Sequence, residues 1–191
     1  MEKLLLLDSN SLLHRAYYAL PGLTDSKGNP TGAIFGFVSM LARLIKEEKP
    51  THIAAAFDLK APTFRHNMYA GYKATRKPMP EELVKQVPVL KKLIGDLGIK
   101  IVELEGYEAD DILGTVSARC EREDREAVIV TGDRDSLQLI TDNVTVLLHT
   151  TKELIRCTPE KFGEMYNGLE PKQLIDLKGL MGDSSDNIPG V

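Results

Sequence analysis

Residues 127–135 read AVIVTGDRD: four apolar residues, a Thr-Gly step and two aspartates. A run this short and this apolar is no lone surface element; it reads as a strand buried on both faces, in a parallel sheet covered by helices. The same pattern recurs along the chain. Apolar runs end in an acid at LLLLD (4–8) and AAAFD (54–58), and IKIVELE (99–105) leads directly into GYEADD (106–111). Strands are therefore expected at 3–7, 52–57, 99–102, 127–130 and 144–148.

Helix-patterned stretches lie between them. Ile34, Phe37, Val38, Leu41 and Ile45 fall at helical spacing, as do Leu83, Val87, Leu90, Ile94 and Leu97, and Ala109, Ile112, Leu113, Val116 and Cys120. Pro88 lacks an N–H donor and is expected to bend or break the second of these helices. Strands alternating with helices specify an α/β fold, here a Rossmann-like, mainly parallel sheet with helices on both faces. In such sheets ligands bind outside the carboxyl ends of the strands, where four of these runs deliver acids.

With 191 residues, 42% hydrophobic and 27% charged, one soluble domain is expected over 1–191. No apolar run approaches the roughly 20 residues of a membrane span, and MEKLLLLD is too short for a signal peptide. A cytoplasmic protein is the expectation, with no membrane partner and nothing demanding more than a monomer. Cys120 and Cys157 lack the spacing of a zinc site or a disulfide framework. The formal charge of −4 argues against a nucleic-acid partner, but setting aside nine suspect carboxylates turns the balance positive.

Those nine are Asp8, Asp58, Glu108, Asp110, Asp111, Asp133 and Asp135, with Asp183 and Asp186 in MGDSSDNIPG (181–190). Acids favour helix N-termini, and an Asp after a strand often caps a turn. That accounts for one or two of them, not for their recurrence at strand ends. Carboxylates crowded at one edge repel unless neutralised, and hard divalent cations with oxygen ligands do this. Without His or Cys in the pattern, two or more Mg²⁺ or Mn²⁺ ions fit better than zinc. Two ions roughly 3.5 to 4 Å apart can activate water and stabilise the leaving oxygen of a phosphodiester.

Residues 59–80, LKAPTFRHNMYAGYKATRKPMP, hold no acid, five Lys or Arg, and Phe64, Tyr69 and Tyr72. Cations neutralise phosphates and aromatic faces stack on unpaired bases, so the run reads as a clamp for single-stranded or frayed nucleic acid.

The ordered set FD (57–58), TFR (63–65), YKATRKPMP (72–80), GYEADD (106–111), TGDRD (131–135) and DLKGLMGDSSDNIPGV (176–191) resembles the 5′ nuclease domain at the N-terminus of bacterial DNA polymerase I, related to flap endonucleases. The resemblance covers 4–191. It implies a PIN-like fold with a helical arch at about 59–80, disordered without DNA, and a metal-dependent 5′-3′ exonuclease or flap endonuclease. The implied substrates are 5′ flaps, nicks, 5′ ends and RNA–DNA primer junctions in bacterial replication and repair. By the same resemblance Asp8, Asp58, Glu108, Asp110 and Asp111 form one metal group. Asp133, Asp135, Asp183 and Asp186 form a second, with Asp110 or Asp133 contributing to both. Lys73 and Arg76 match the basic pair of the arch, Lys73 on the scissile phosphate. Arg15 and Arg65 match DNA contacts, and Tyr72 is the candidate stacking platform.

Two departures stand out. The family's Asp-Gly-Asn-Ser after the first strand is DSNS (8–11) here, with Ser9 for glycine. The family also continues past DNIPGV into a helix-hairpin-helix element that grips duplex DNA and often K⁺, so a piece of a longer polymerase is expected. Two rival readings are a PIN-type RNase, which lacks the arch, and a DNA-binding module that keeps the cluster only for structure.

Overall fold

Leu5, Leu6 and Leu7 are all fully buried although successive strand residues face opposite ways, so their strand lies mid-sheet with both faces covered. A computed structural model describes residues 2–191. Strands β1 (Lys3–Asp8), β2 (His52–Ala56), β3 (Lys100–Val102), β4 (Glu126–Thr131), β5 (Val144–His149) and β6 (Leu154–Cys157) form one sheet in the order β3-β2-β1-β4-β5-β6. Every pair is parallel except β5 with β6.

Helices α1 (Ser9–Ala19), α2 (Gly32–Glu48) and α4 (Glu81–Asp96) cover one face, packing Leu12, Phe37, Leu41, Leu83 and Leu90 around Leu5, Leu7, Val128 and Val130. Helices α5 (Ala109–Arg122), α6 (Pro159–Met165) and the start of α7 (Leu174–Met181) cover the other, with Leu113, Phe162 and Leu174 around Leu6, Ile129, Val146 and Leu148. The chain builds outward from β1 through β2 to β3, then returns to place β4 on the other side of β1. The carboxyl ends of β1 and β4 thus flank the topological switch point, the usual ligand crevice of an open α/β sheet.

Strand β6 escapes the periodicity of the sequence because Leu154–Cys157 is a short, half-polar edge that pairs on one side only. Of the bend or break expected at Pro88, the break does not occur. Helix α4 runs unbroken through it, held by Leu83, Leu90 and Ile94, buried on both sides of the proline. Buried Gln86, on the same helix, accepts from the N–H groups of Ala33 and Ile34 at 3.0 and 3.2 Å, satisfying donors at the start of α2.

The disorder expected across 59–80 is not what the structure shows. This segment forms the short helix α3 (Phe64–Met68) followed by turns, and it is tied down at several points. Phe64 N–H donates to the Gly106 carbonyl at 3.0 Å, Lys73 N–H to the Asp186 carbonyl at 3.0 Å, and the Asn187 side chain to the Gly71 carbonyl at 2.8 Å. Both cysteines are buried free thiols. Among the described residues no helix is long and apolar enough to cross a membrane.

Candidate active site

The carboxyl edge of the sheet opens into a cleft of about 1040 Å³ lined by Asp8, Asp58, Asp110 and Asp133, with Lys73 and Arg76 also on its walls. Three of these acids do hold backbone, as a capping role requires. Asp8 accepts from Ser11 N–H at 3.2 Å, Asp58 from Ala109 N–H at 2.7 Å, and Asp133 from Asp135 N–H at 2.9 Å, each at the start of a helical segment. Capping uses one oxygen of Asp58 and one of Asp133. Thr131 ties the two central strands together, donating its hydroxyl to Asp8 at 2.5 Å while accepting from Asp133 N–H at 2.9 Å. The caps therefore orient the acids.

Asp110 is different. It lies in the first turn of α5 and has no hydrogen-bond or ion-pair partner among the described residues. Dense protein around the cleft floor, then Asp8, Asp133 and Asp58, push its pKa up to about 8. Burial likewise raises Asp8 to about 6, against the opposing bonds from Thr131 and Ser11.

The remaining five acids are all held by cations, four cations serving the five. Glu108 accepts from Lys73 Nζ at 2.7 Å and from the Tyr72 hydroxyl at 2.9 Å. Asp111 receives both arms of the Arg65 guanidinium at 2.8 Å, a fork that drives its pKa down. Asp186 pairs with Arg76. Lys178 bridges Asp135 and Asp183 at 2.8 Å each. Burial opposes the ionisation of Asp183, yet Lys178 and the Ser185 donors hold its pKa far below the usual carboxylate range.

Of the nine acids, only Asp8, Asp58, Asp110 and Asp133 are without an ion pair among the described residues. Among the described residues no group of three or more His, Cys, Asp or Glu side chains is gathered so as to hold a metal ion as it stands. The reason is electrostatic: Lys73, Arg65, Arg76 and Lys178 neutralise five of the acids and fix their directions. The donor chemistry nevertheless fits a hard divalent cation, because partnerless Asp110 faces Asp8, Asp58 and Asp133, all oxygen donors.

Tyr72 is not an open stacking platform. It is 7% exposed, its hydroxyl bound to Glu108, with His66 edge-on to the ring and the Lys73 ammonium 4.9 Å from its centroid. Arg65, matched to a DNA contact, is a strut joining α3 to the start of α5 through Asp111, and its guanidinium stacks 4.5 Å over Phe64. Arg65→Lys, which cannot reproduce the fork, is expected to lower stability by about 1 kcal/mol or more. A urea midpoint equal to wild type would remove that role.

Arg15 does reach the cleft. Its Nη2 donates to the Gly132 carbonyl at 3.0 Å, and a Cβ on residue 132 would lie 2.1 Å from Arg15 Nε, so the glycine makes room for the arginine. Ser9, in the family's glycine position, is fully buried at the start of α1. Sequence reasoning missed Thr131 and Lys178. The signal for Lys178 was available in DLKGLMGD, a lysine five residues before an acid of the cluster.

Residues 3–167 match the family model described as 5′-3′ exonuclease, N-terminal resolvase-like domain. The chain is 48% identical over 194 residues to DNA polymerase I of Bacillus caldotenax and 45% identical over 189 residues to the thermostable DNA polymerase I of Thermus thermophilus. It is covered entirely or nearly so in both matches, but spans only 22% of each relative's length. Among solved structures, the bacteriophage T5 D15 protein co-crystallised with metal ions superposes with a TM-score of 0.78 at 23% identity, covering 100% of this chain and 70% of that one. The catalytic core of Rad2 in complex with DNA substrate gives 0.56 at 19%, covering 100% and 57%. By family model and by relatives alike, the chain belongs to the 5′-3′ exonuclease family, as a nuclease domain of the kind carried by bacterial DNA polymerase I.

Proposed function

We propose that this domain is a divalent-metal-dependent 5′ nuclease, using Mg²⁺ or Mn²⁺, that hydrolyses phosphodiesters at 5′ flaps, nicks and 5′ ends of DNA and at RNA–DNA primer junctions. One observation carries this reading: partnerless Asp110 faces Asp8, Asp58 and Asp133 in a cleft that also presents Lys73 and Arg76. The T5 D15 flap endonuclease, of similar fold, has been crystallised as a pseudo-enzyme-product complex with DNA and metal ions, which supports the reading.

Divalent ions held by Asp8, Asp58, Asp110 and Asp133 would supply the charge that activates water and stabilises the leaving oxygen. The chain's own residues do the rest. Lys73 sits in the left-handed region at φ 55°, a conformation that costs a non-glycine residue energy, held there by its N–H bond to the Asp186 carbonyl. That backbone places the ammonium over Tyr72 and on Glu108. When a phosphate enters, Lys73 and Arg76 exchange Glu108 and Asp186 for phosphate oxygens, orienting the diester and offsetting its developing negative charge. Asp8 and Asp133, joined through Thr131, fix the acid edge on the two central strands.

A 5′-labelled flap DNA incubated with Mn²⁺ is expected to release a short 5′ fragment, and chelation should abolish the release. Tight flap binding without cleavage in either Mn²⁺ or Mg²⁺ would instead favour a binding module. Cleavage of single-stranded RNA with flap DNA spared would favour a PIN-type RNase.

A further inference from the structure

Strands β4 and β5 pair with Thr131 beside Leu148, so the next residues along, Gly132 and His149, emerge side by side at the carboxyl edge. Arg15 is hydrogen-bonded to Gly132, and Arg15, Gly132, His149 and Thr151 all line the cleft. Neither ring nitrogen of His149 has a hydrogen-bond partner among the described residues, and Nδ1 is fully buried. With its hydrogen on Nε2, the neutral ring is a donor. Burial, then the nearby Arg15, lower the ring's pKa from its usual value. The Thr150 hydroxyl closes the turn after His149 by donating to the Glu153 carbonyl at 2.8 Å, which fixes the strand end.

Arg15, a fixed cation, and His149, an imidazole without a side-chain partner among the described residues, thus line the same cleft wall. Resting on the nuclease reading, we infer that Arg15 and His149 form a seat for one backbone phosphate of the bound nucleic acid, distinct from the phosphate that Lys73 and Arg76 engage. The seat is indifferent to base identity, since it reads only phosphate oxygens. It positions the strand; it does not react.

The test is binding of flap DNA to the full chain in Ca²⁺, with single phosphates replaced in turn by uncharged methylphosphonates. Wild type should lose affinity at one position away from the scissile phosphate. In Arg15→Ala, and in His149→Phe, which keeps the ring volume, the loss at that position should largely disappear. Arg15→Ala should also lower the slope of log K against log salt by about one. Gly132→Ala, which evicts the arginine, should resemble Arg15→Ala in the methylphosphonate profile. Variants of wild-type melting temperature that keep the full methylphosphonate penalty would overturn the seat. So would a penalty reduced equally at every position. Wild type that neither binds nor cuts flap DNA would bring down the nuclease reading, and the seat with it.

Discussion

Asp110→Asn is expected to abolish flap cleavage and at the same time make the chelated protein more stable at pH 8. Asp110 feels the charges of Asp8, Asp133 and Asp58 and has no partner of its own among the described residues. On the proposed reading the substitution removes a ligand of the divalent ions, so turnover in Mn²⁺ should fall on the order of 10³-fold. The stability effect follows from the raised pKa. Folded Asp110 holds its proton up to about pH 8, whereas a free Asp releases it near 3.8. Between those values the folded chain binds more protons than the unfolded one, so stability falls as pH rises through the window. Asparagine carries no such dependence. In EDTA the variant should melt about 2 °C or more above wild type at pH 8, an amount that reflects solvent screening in the open cleft. The difference should shrink toward pH 4. Turnover within tenfold of wild type would remove Asp110 from the metal site, and a lower melting temperature at pH 8 would contradict the electrostatic account.

Lys73→Ala is expected to depress single-turnover cleavage by roughly 10² to 10³ without weakening Mn²⁺ binding. Its ammonium is committed to Glu108 and to the Tyr72 ring, close to where a diester must lie. The substitution leaves Glu108 half-released, bound only by Tyr72, with Arg65 3.8 Å away. A stability loss of about 1 to 3 kcal/mol should accompany the change, because that carboxylate is mostly buried. Isothermal titration with Mn²⁺ separates the two roles. Equal loss of turnover and metal affinity would make Lys73 a support of the acid edge and not a phosphate contact.

The sheet was legible because its strands are short apolar runs whose ends carry acids, and both properties are local. Five strands and the helices between them followed from that pattern. Less visible were the partners. Arg65 with Asp111, Tyr72 with Glu108, and Lys178 with Asp135 join residues 46, 36 and 43 positions apart, pairings that only the folded chain creates. An aromatic in a basic run looks like a stacking surface, and only the reach of Glu108 shows why Tyr72 is buried. Crowded acids look like one metal cage for the same reason: a sequence lists the carboxylates but not the cations folded against them. The caps at Asp8, Asp58 and Asp133 show that a local helix-start signal and a functional one need not compete.

The pairing of Lys73 with Glu108 and Arg76 with Asp186 makes the cleft a lock with two keys. On the proposed nuclease reading, each of these acids, now held by a lysine or arginine, would be able to serve a divalent ion instead. DNA that draws the cations away frees the acids, and ions that draw the acids away free the cations. Thermodynamic reciprocity then requires DNA to tighten the hold on metal by the same factor that metal tightens the hold on DNA. On the proposed reading, Glu108 and Asp186 would join the site in full only when substrate and ions arrive together, while Asp110, without a partner among the described residues, stays open to an ion throughout.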